Sequence, residues 1–168
     1  MDKLIKAARV AMSNCMALKK GESVLVITDD PERKIGYALW EAAKEFASEA
    51  MLLEILPRSS NGEEPPEMVA KFMRKFDVLM IPTSKSMSHT KARREACEAG
   101  VRCATLPGIL EDTMQRTLNA DYNEIAKRSV KLAEVVSAGK TARVTTPAGT
   151  DITMSIEGRE CHADTGLV

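Results

Sequence analysis

Apolar and polar positions alternate along this chain with two periods, and the changes between them mark out the elements. Leu4, Ile5, Ala8, Ala11, Met12, Cys15 and Leu18 recur at helical spacing and predict a one-sided amphipathic helix over 3–18. Gly21 stops it, and Lys19 and Lys20 suit the negative end of its dipole. Residues 23–28 form a continuous run rich in β-branched side chains, the pattern of a strand covered on both faces. Asp29-Asp30-Pro31 closes that strand with turn and capping chemistry. A second helix is predicted over 33–47, burying Ile35, Ala38, Leu39, Ala42 and Phe46 with Trp40 on its flank. A strand over 50–56, a long polar loop and a helix over 67–75 follow, with Pro66 at a favourable first helical position.

The stretch 76–108, FDVLMIPTSKSMSHTKARREACEAGVRCATLPG, reads as a β-loop-α-β unit. Its apolar runs at 78–81 and 101–106 flank a hydroxyl-rich loop over 82–89 and a basic helix. A short helical piece over 109–118 comes next. Asp121 then caps a helix, with Glu124 three residues on to complete a capping box. That helix aligns Tyr122, Ile125, Ala126, Ser129, Leu132, Ala133 and Val136, and ends at Gly139. Repeated β-α units of this kind predict an α/β fold with an open, mostly parallel Rossmann/flavodoxin-like sheet and helices on both faces. The fourth strand is expected at one edge.

The tail changes period. Residues 142–146 and 152–156 alternate around a turn over 147–151 and predict a β-hairpin. A lone hairpin is marginal in water, so its apolar face needs a partner. The expected organisation is therefore an α/β domain over 1–140, then a hairpin and tail over 141–168 that open a second, β-rich domain not contained in this chain.

Composition narrows the classes. The chain has 168 residues, 44% apolar and 29% charged, enough for a real core. Its formal net charge is zero, which gives no general pull towards nucleic acid or anionic membrane. No apolar run approaches the ~20 residues of a membrane span. Lys3, Lys6 and Arg9 interrupt any signal-peptide core, so the expected compartment is cytoplasmic. Cys15, Cys97, Cys103 and Cys161 lack metal-binding spacing and are expected to be reduced and packed as small hydrophobes. The methionines fall on helix faces and strands, where they fill the core.

The candidate chemistry centres on the 83–90 loop. Thr83, Ser84, Lys85, Ser86, Ser88 and His89, with Arg93 in the following helix, offer hydroxyls and cations near a helix N-terminus, where free backbone N–H groups bind anions. The spacing is not that of a phosphate-binding P-loop, since no glycine lies between Asp77 and Ala99. The plainer reading is that Ser88 or Thr90 caps the helix and that its basic side chains pair with Glu95, Glu98 or solvent. His89 has the chemistry of a general base, but no nucleophile–histidine–acid order can be assembled around it. His162 and Asp164, with Glu157 or Glu160 near in sequence, make a loose metal-ligand set in an unanchored tail. Asp29 or Asp30 is expected as an N-cap, and Glu63-Glu64 as part of a solvated loop.

The block 82–109, PTSKSMSHTKARREACEAGVRCATLPGI, with GEEPP at 62–66, resembles the thermophilic metallo-aminopeptidase family of the aminopeptidase T or leucyl aminopeptidase type. The agreement extends to KKGESVLVITD at 19–29, TPAGTDITMSIEGR at 146–159 and DTGL at 164–167. The resemblance implies a two-domain, dimeric, cytoplasmic exopeptidase acting on peptides with a pair of divalent metals such as zinc or cobalt. Some relatives of that fold family carry other metal chemistry, including ring-opening dioxygenation of hydroxypyridines. The family's metal ligands lie in its C-terminal half, so no catalytic or metal-binding residue carries over to this chain. The expected function is the N-terminal α/β domain of a metal-dependent aminopeptidase, inactive alone. The rival expectation is a stand-alone module binding a small anion or nucleotide at the 83–90 loop, and a third is an interaction domain acting through the hairpin.

Overall fold

A computed structural model describes residues 3–167. By their contacts they divide into two compact units, one running through Ala120 and the other covering Asp121–Leu167. The division falls ahead of residue 141, where the sequence pattern places the boundary, so the long helix groups with the hairpin.

The first unit begins with α1, Lys3–Val10, extended by a π-helical turn over Ala11–Cys15. Met16 N–H donates to Ala11 O at 2.9 Å across this wider turn. One residue is thereby added to the period, and Met16 becomes fully buried while Cys15 is only half-buried. β1 (Ser23–Asp29), α2 (Arg33–Ala43), β2 (Glu49–Ile55), α3 (Glu67–Met73), β3 (Val78–Ile81), α4 (Lys91–Glu98), β4 (Arg102–Thr105) and α5 (Glu111–Thr117) follow. The strands are parallel in the order β2-β1-β3-β4. This is the expected flavodoxin-like order, with the fourth strand at one edge.

Strand alternation sends side chains to two separate cores. Val24, Val26, Val78 and Met80 face α1, α2 and α5. Leu25, Ile27, Leu79 and Ile81 face α3 and α4, where Val69, Met73, Ala92 and Ala96 are buried. Helices therefore cover both faces. Central β1 is buried from Val24 to Asp29, whereas edge strand β2 leaves Met51 40% exposed.

Polar contacts set the register at the amino ends of the strands. The Asp77 carboxylate accepts from Ser23 N–H at 2.7 Å and from the Ser23 hydroxyl at 2.8 Å, and these bonds hold it below the usual carboxylate range. Arg102 donates to both Glu22 oxygens at 3.0 and 2.7 Å and to Met16 O at 3.1 Å, tying β4 to the turns before β1.

The second unit holds α6 (Tyr122–Ser137) and the antiparallel pair β5 (Thr141–Thr145) and β6 (Asp151–Ser155). Asp121 caps α6 by accepting from the N–H groups of Asn123 and Glu124. Glu124 pairs with Lys127 at 2.7 Å. Leu132, Val135, Val144 and Ile152 remain exposed, so the amphipathic pattern is present with much of its apolar side open.

Gly36 shows how closely α2 lies on β1. A Cβ there would come within 2.6 Å of Cβ and Oγ1 of Thr28, which is fully buried. Gly36→Ala is expected to lower stability by about 1–3 kcal/mol through overpacking. Urea unfolding should show the loss as a lower midpoint at an unchanged slope.

Candidate site at the carboxyl edge of the sheet

In an open α/β sheet the connections diverge at one point, and ligands usually bind outside the carboxyl ends of the strands there. Here that point lies between β1 and β3. It is latched. The Asp29 carboxylate, 1% exposed, accepts through Oδ2 from Ser84 N–H at 2.8 Å and from the Ser84 hydroxyl at 2.6 Å. Its Oδ1 accepts from Glu32 N–H at 3.3 Å and caps the 3₁₀ turn Asp30–Glu32. The expected capping role is present, together with a link to the second loop that sequence separation conceals.

The 83–90 loop uses most of its polar groups on itself. The buried Thr83 hydroxyl donates to Lys85 O at 2.8 Å, and Thr83 O accepts from Gly108 N–H at 3.0 Å. Ser86 N–H donates to Asn61 Oδ1 at 2.8 Å, and Ser86 O accepts from Gly62 N–H at 2.8 Å. The Ser86 hydroxyl donates to Ser88 Oγ at 3.1 Å, and Ser88 shares a 2.7 Å bond with the Thr105 hydroxyl. Thr90, 1% exposed, is the N-cap of α4, accepting from Arg93 N–H at 3.2 Å. Arg93 Nε donates to Ser88 O at 2.9 Å, and its Nη1 lies 3.6 Å from Cys97 Sγ. The side chains of Lys85 and His89 differ: both residues are exposed, and neither side chain makes a hydrogen bond or ion pair among the described residues. His89 gains no nucleophile and no orienting acid there.

The anion seat at the N-terminus of α4 is filled by the protein itself. Lys91 N–H donates to Glu64 Oε1 at 2.6 Å and Ala92 N–H to Glu64 Oε2 at 3.0 Å. Glu64 therefore does more than line a solvated loop: its carboxylate meets the free N–H groups and the positive end of the helix dipole.

Beside the latch, Pro31, Glu32, Ile35, Ile109 and Leu110 line a cavity of about 250 Å³, together with Lys34 and Glu111, which form a 2.6 Å ion pair. Glu32 is 9% exposed, and burial, reinforced by the Asp29 charge, pushes its carboxyl upward. In the sequence it is one of several acids after β1, and its position at a strand end is the sole cue to this role.

The described residues do not fit a divalent metal, since no group of three His, Cys, Asp or Glu side chains gathers among them. His162 is exposed, and Asp164 Oδ1 accepts from Gly166 N–H at 3.2 Å within a local turn.

A family model for NicX, described as 2,5-dihydroxypyridine 5,6-dioxygenase, matches residues 3–168. No curated protein matches the chain. Among solved structures, wild-type AmpT from Thermus thermophilus is similar at a TM-score of 0.56 and 15% identity, over 98% of this chain. The chain spans 59% of that protein's length. At this identity the likeness concerns the fold.

Asp29→Ala leaves Ser84 N–H and Glu32 N–H without their acceptor, and a stability loss of about 2–3 kcal/mol is expected. Faster hydrogen exchange at Ser84 N–H should accompany it. Glu32 has a folded-state pKa above its unfolded value, so its stabilising contribution is present below the ordinary carboxylate pKa of 4.5 and lost as pH rises through the raised value. Glu32→Gln, which mimics the protonated form, is accordingly expected to match the parent near pH 4 and to exceed it at neutral pH in thermal melts.

Proposed function

This chain belongs to the NicX family, and we propose that it is the α/β domain of an enzyme that opens the ring of a hydroxylated pyridine with dioxygen. The observation that carries this reading is the family match, which runs through both compact units. In this proposal the carboxyl-edge loops form one wall of the substrate cleft. The Asp29–Ser84 latch holds that wall in place, and Lys85 and His89 are the side chains that meet substrate. For the divalent metal such chemistry uses, the described residues offer no group of three ligating side chains.

A second reading, the α/β domain of a metal-dependent aminopeptidase, is favoured by the AmpT fold over 98% of the chain and by the 82–109 block. In that reading the partners are peptides with a free amino terminus and a second copy of the chain, and the metals are of the zinc or cobalt kind. The anion-module reading is the weaker one, because Glu64 already occupies the seat it needs.

Both reactions can be measured on the 168-residue chain and on any longer natural polypeptide that includes it. Oxygen uptake with 2,5-dihydroxypyridine and iron(II) tests ring opening. Release of nitroaniline from amino-acid p-nitroanilides with zinc or cobalt tests peptide hydrolysis. Ring opening by the natural polypeptide, with the 168-residue chain inactive, is expected. Anilide hydrolysis in its place would establish the second reading, and turnover at ordinary enzyme rates by the 168-residue chain would overturn the supporting-domain role.

A further inference from the structure

The cavity beside the latch holds a carboxyl group that the fold does not use. Glu32 occupies the N-cap position of α2, where an acidic side chain ordinarily turns back to accept from the helix N–H groups. Its side chain makes no such bond. Its backbone N–H is taken by Asp29 Oδ1 at 3.3 Å, which fixes the residue in place. The carboxyl itself makes no hydrogen bond or ion pair among the described residues, although Glu32 is only 9% exposed. It lines the cavity instead, facing a wall formed by Pro31, Ile35, Ile109 and Leu110. That wall is firmly held. Gly108 N–H donates to Thr83 O at 3.0 Å just ahead of Ile109, and the Lys34–Glu111 ion pair joins α2 to the start of α5.

We propose that this cavity binds a small organic cation, a protonated amine carried on a compact apolar body, with the Glu32 carboxylate as its counter-ion. A buried carboxyl without donors destabilises the fold that contains it, and a ligand that supplies N–H donors and positive charge removes that penalty. The apolar wall takes the hydrocarbon part of the ligand. A volume of about 250 Å³ lies below the roughly 300 Å³ at which drug-sized sites begin. The site therefore suits a single ring or a short chain.

The surroundings select the sign of the ligand. Burial, and after it the charge of Asp29, disfavour ionisation of Glu32. The negative potential that opposes a second anion attracts a cation to the same place. Lys34, the cation in the cavity lining, has its ammonium 2.6 Å from Glu111, and its side chain is 69% exposed. An anionic ligand would meet Asp29, Glu32 and Glu111 together. The site does not depend on which reaction the family chemistry follows.

The test titrates the 168-residue chain, labelled at its Ile and Leu methyl groups, with cyclohexylammonium chloride and separately with cyclohexanol, at neutral pH. The methyl signals of Ile35, Ile109 and Leu110 are expected to move with cyclohexylammonium and to saturate with a dissociation constant on the order of millimolar, as befits so small a ligand. Cyclohexanol has nearly the same shape without the charge and should bind roughly 10-fold more weakly. Glu32→Gln keeps the backbone bond to Asp29 and should fold at least as well as the parent, yet bind the two compounds alike. Leu110→Ala should weaken both by a similar factor, roughly 2–3-fold, and leave their ratio unchanged. Absence of any methyl movement, movement confined to other methyls, equal binding of the alcohol by the parent, or a cation preference that survives Glu32→Gln would overturn the proposal. So would movement of the same signals by magnesium chloride with no response to cyclohexylammonium.

Discussion

One buried carboxylate, Asp29, sets the geometry of everything at the carboxyl edge. It stands at the end of the central strand, where chain connections leave in opposite directions, and it is almost entirely removed from water. A carboxylate in that position is tolerated when donors surround it, and Ser84 and the Glu32 N–H supply them. Ser84 fixes the start of the β3–α4 loop, Thr83 then meets Gly108, and the β4–α5 turn is brought alongside. Burial, with the same charge adding to it, keeps the neighbouring Glu32 carboxyl raised above its ordinary value. The latch is therefore both a mechanical and an electrostatic constraint.

That constraint separates positioning from chemistry. The hydroxyls that made the loop look like a ligand cradle hold the loop itself, and the helix N-terminus that could bind an anion binds Glu64. What remains outward-facing is small: Lys85 and His89 on the loop, and the Glu32-lined cavity beside it. Arg93 holds this edge through Ser88 O and also approaches Cys97 Sγ, so the loop's fixity depends on a side chain with two kinds of partner.

The pattern of apolar residues determined the fold. Buried β-branched runs, period-3.6 helices and Pro/Gly stops placed each strand within a residue or two, because burial on two sheet faces leaves little freedom in register. The π-helical turn escaped that reading, since a helix-wide turn changes phase without changing composition. Thr90 as a cap and Asp121 as a cap were also written locally, because capping bonds span two or three residues. Tertiary structure decided the rest. The Asp29–Ser84 bond spans 55 residues, Glu64 reaches the N–H of Lys91 over 27, and Arg102 reaches Glu22 over 80. Such contacts depend on which loops the parallel crossovers bring to one edge. A local pattern of side chains carries no record of that.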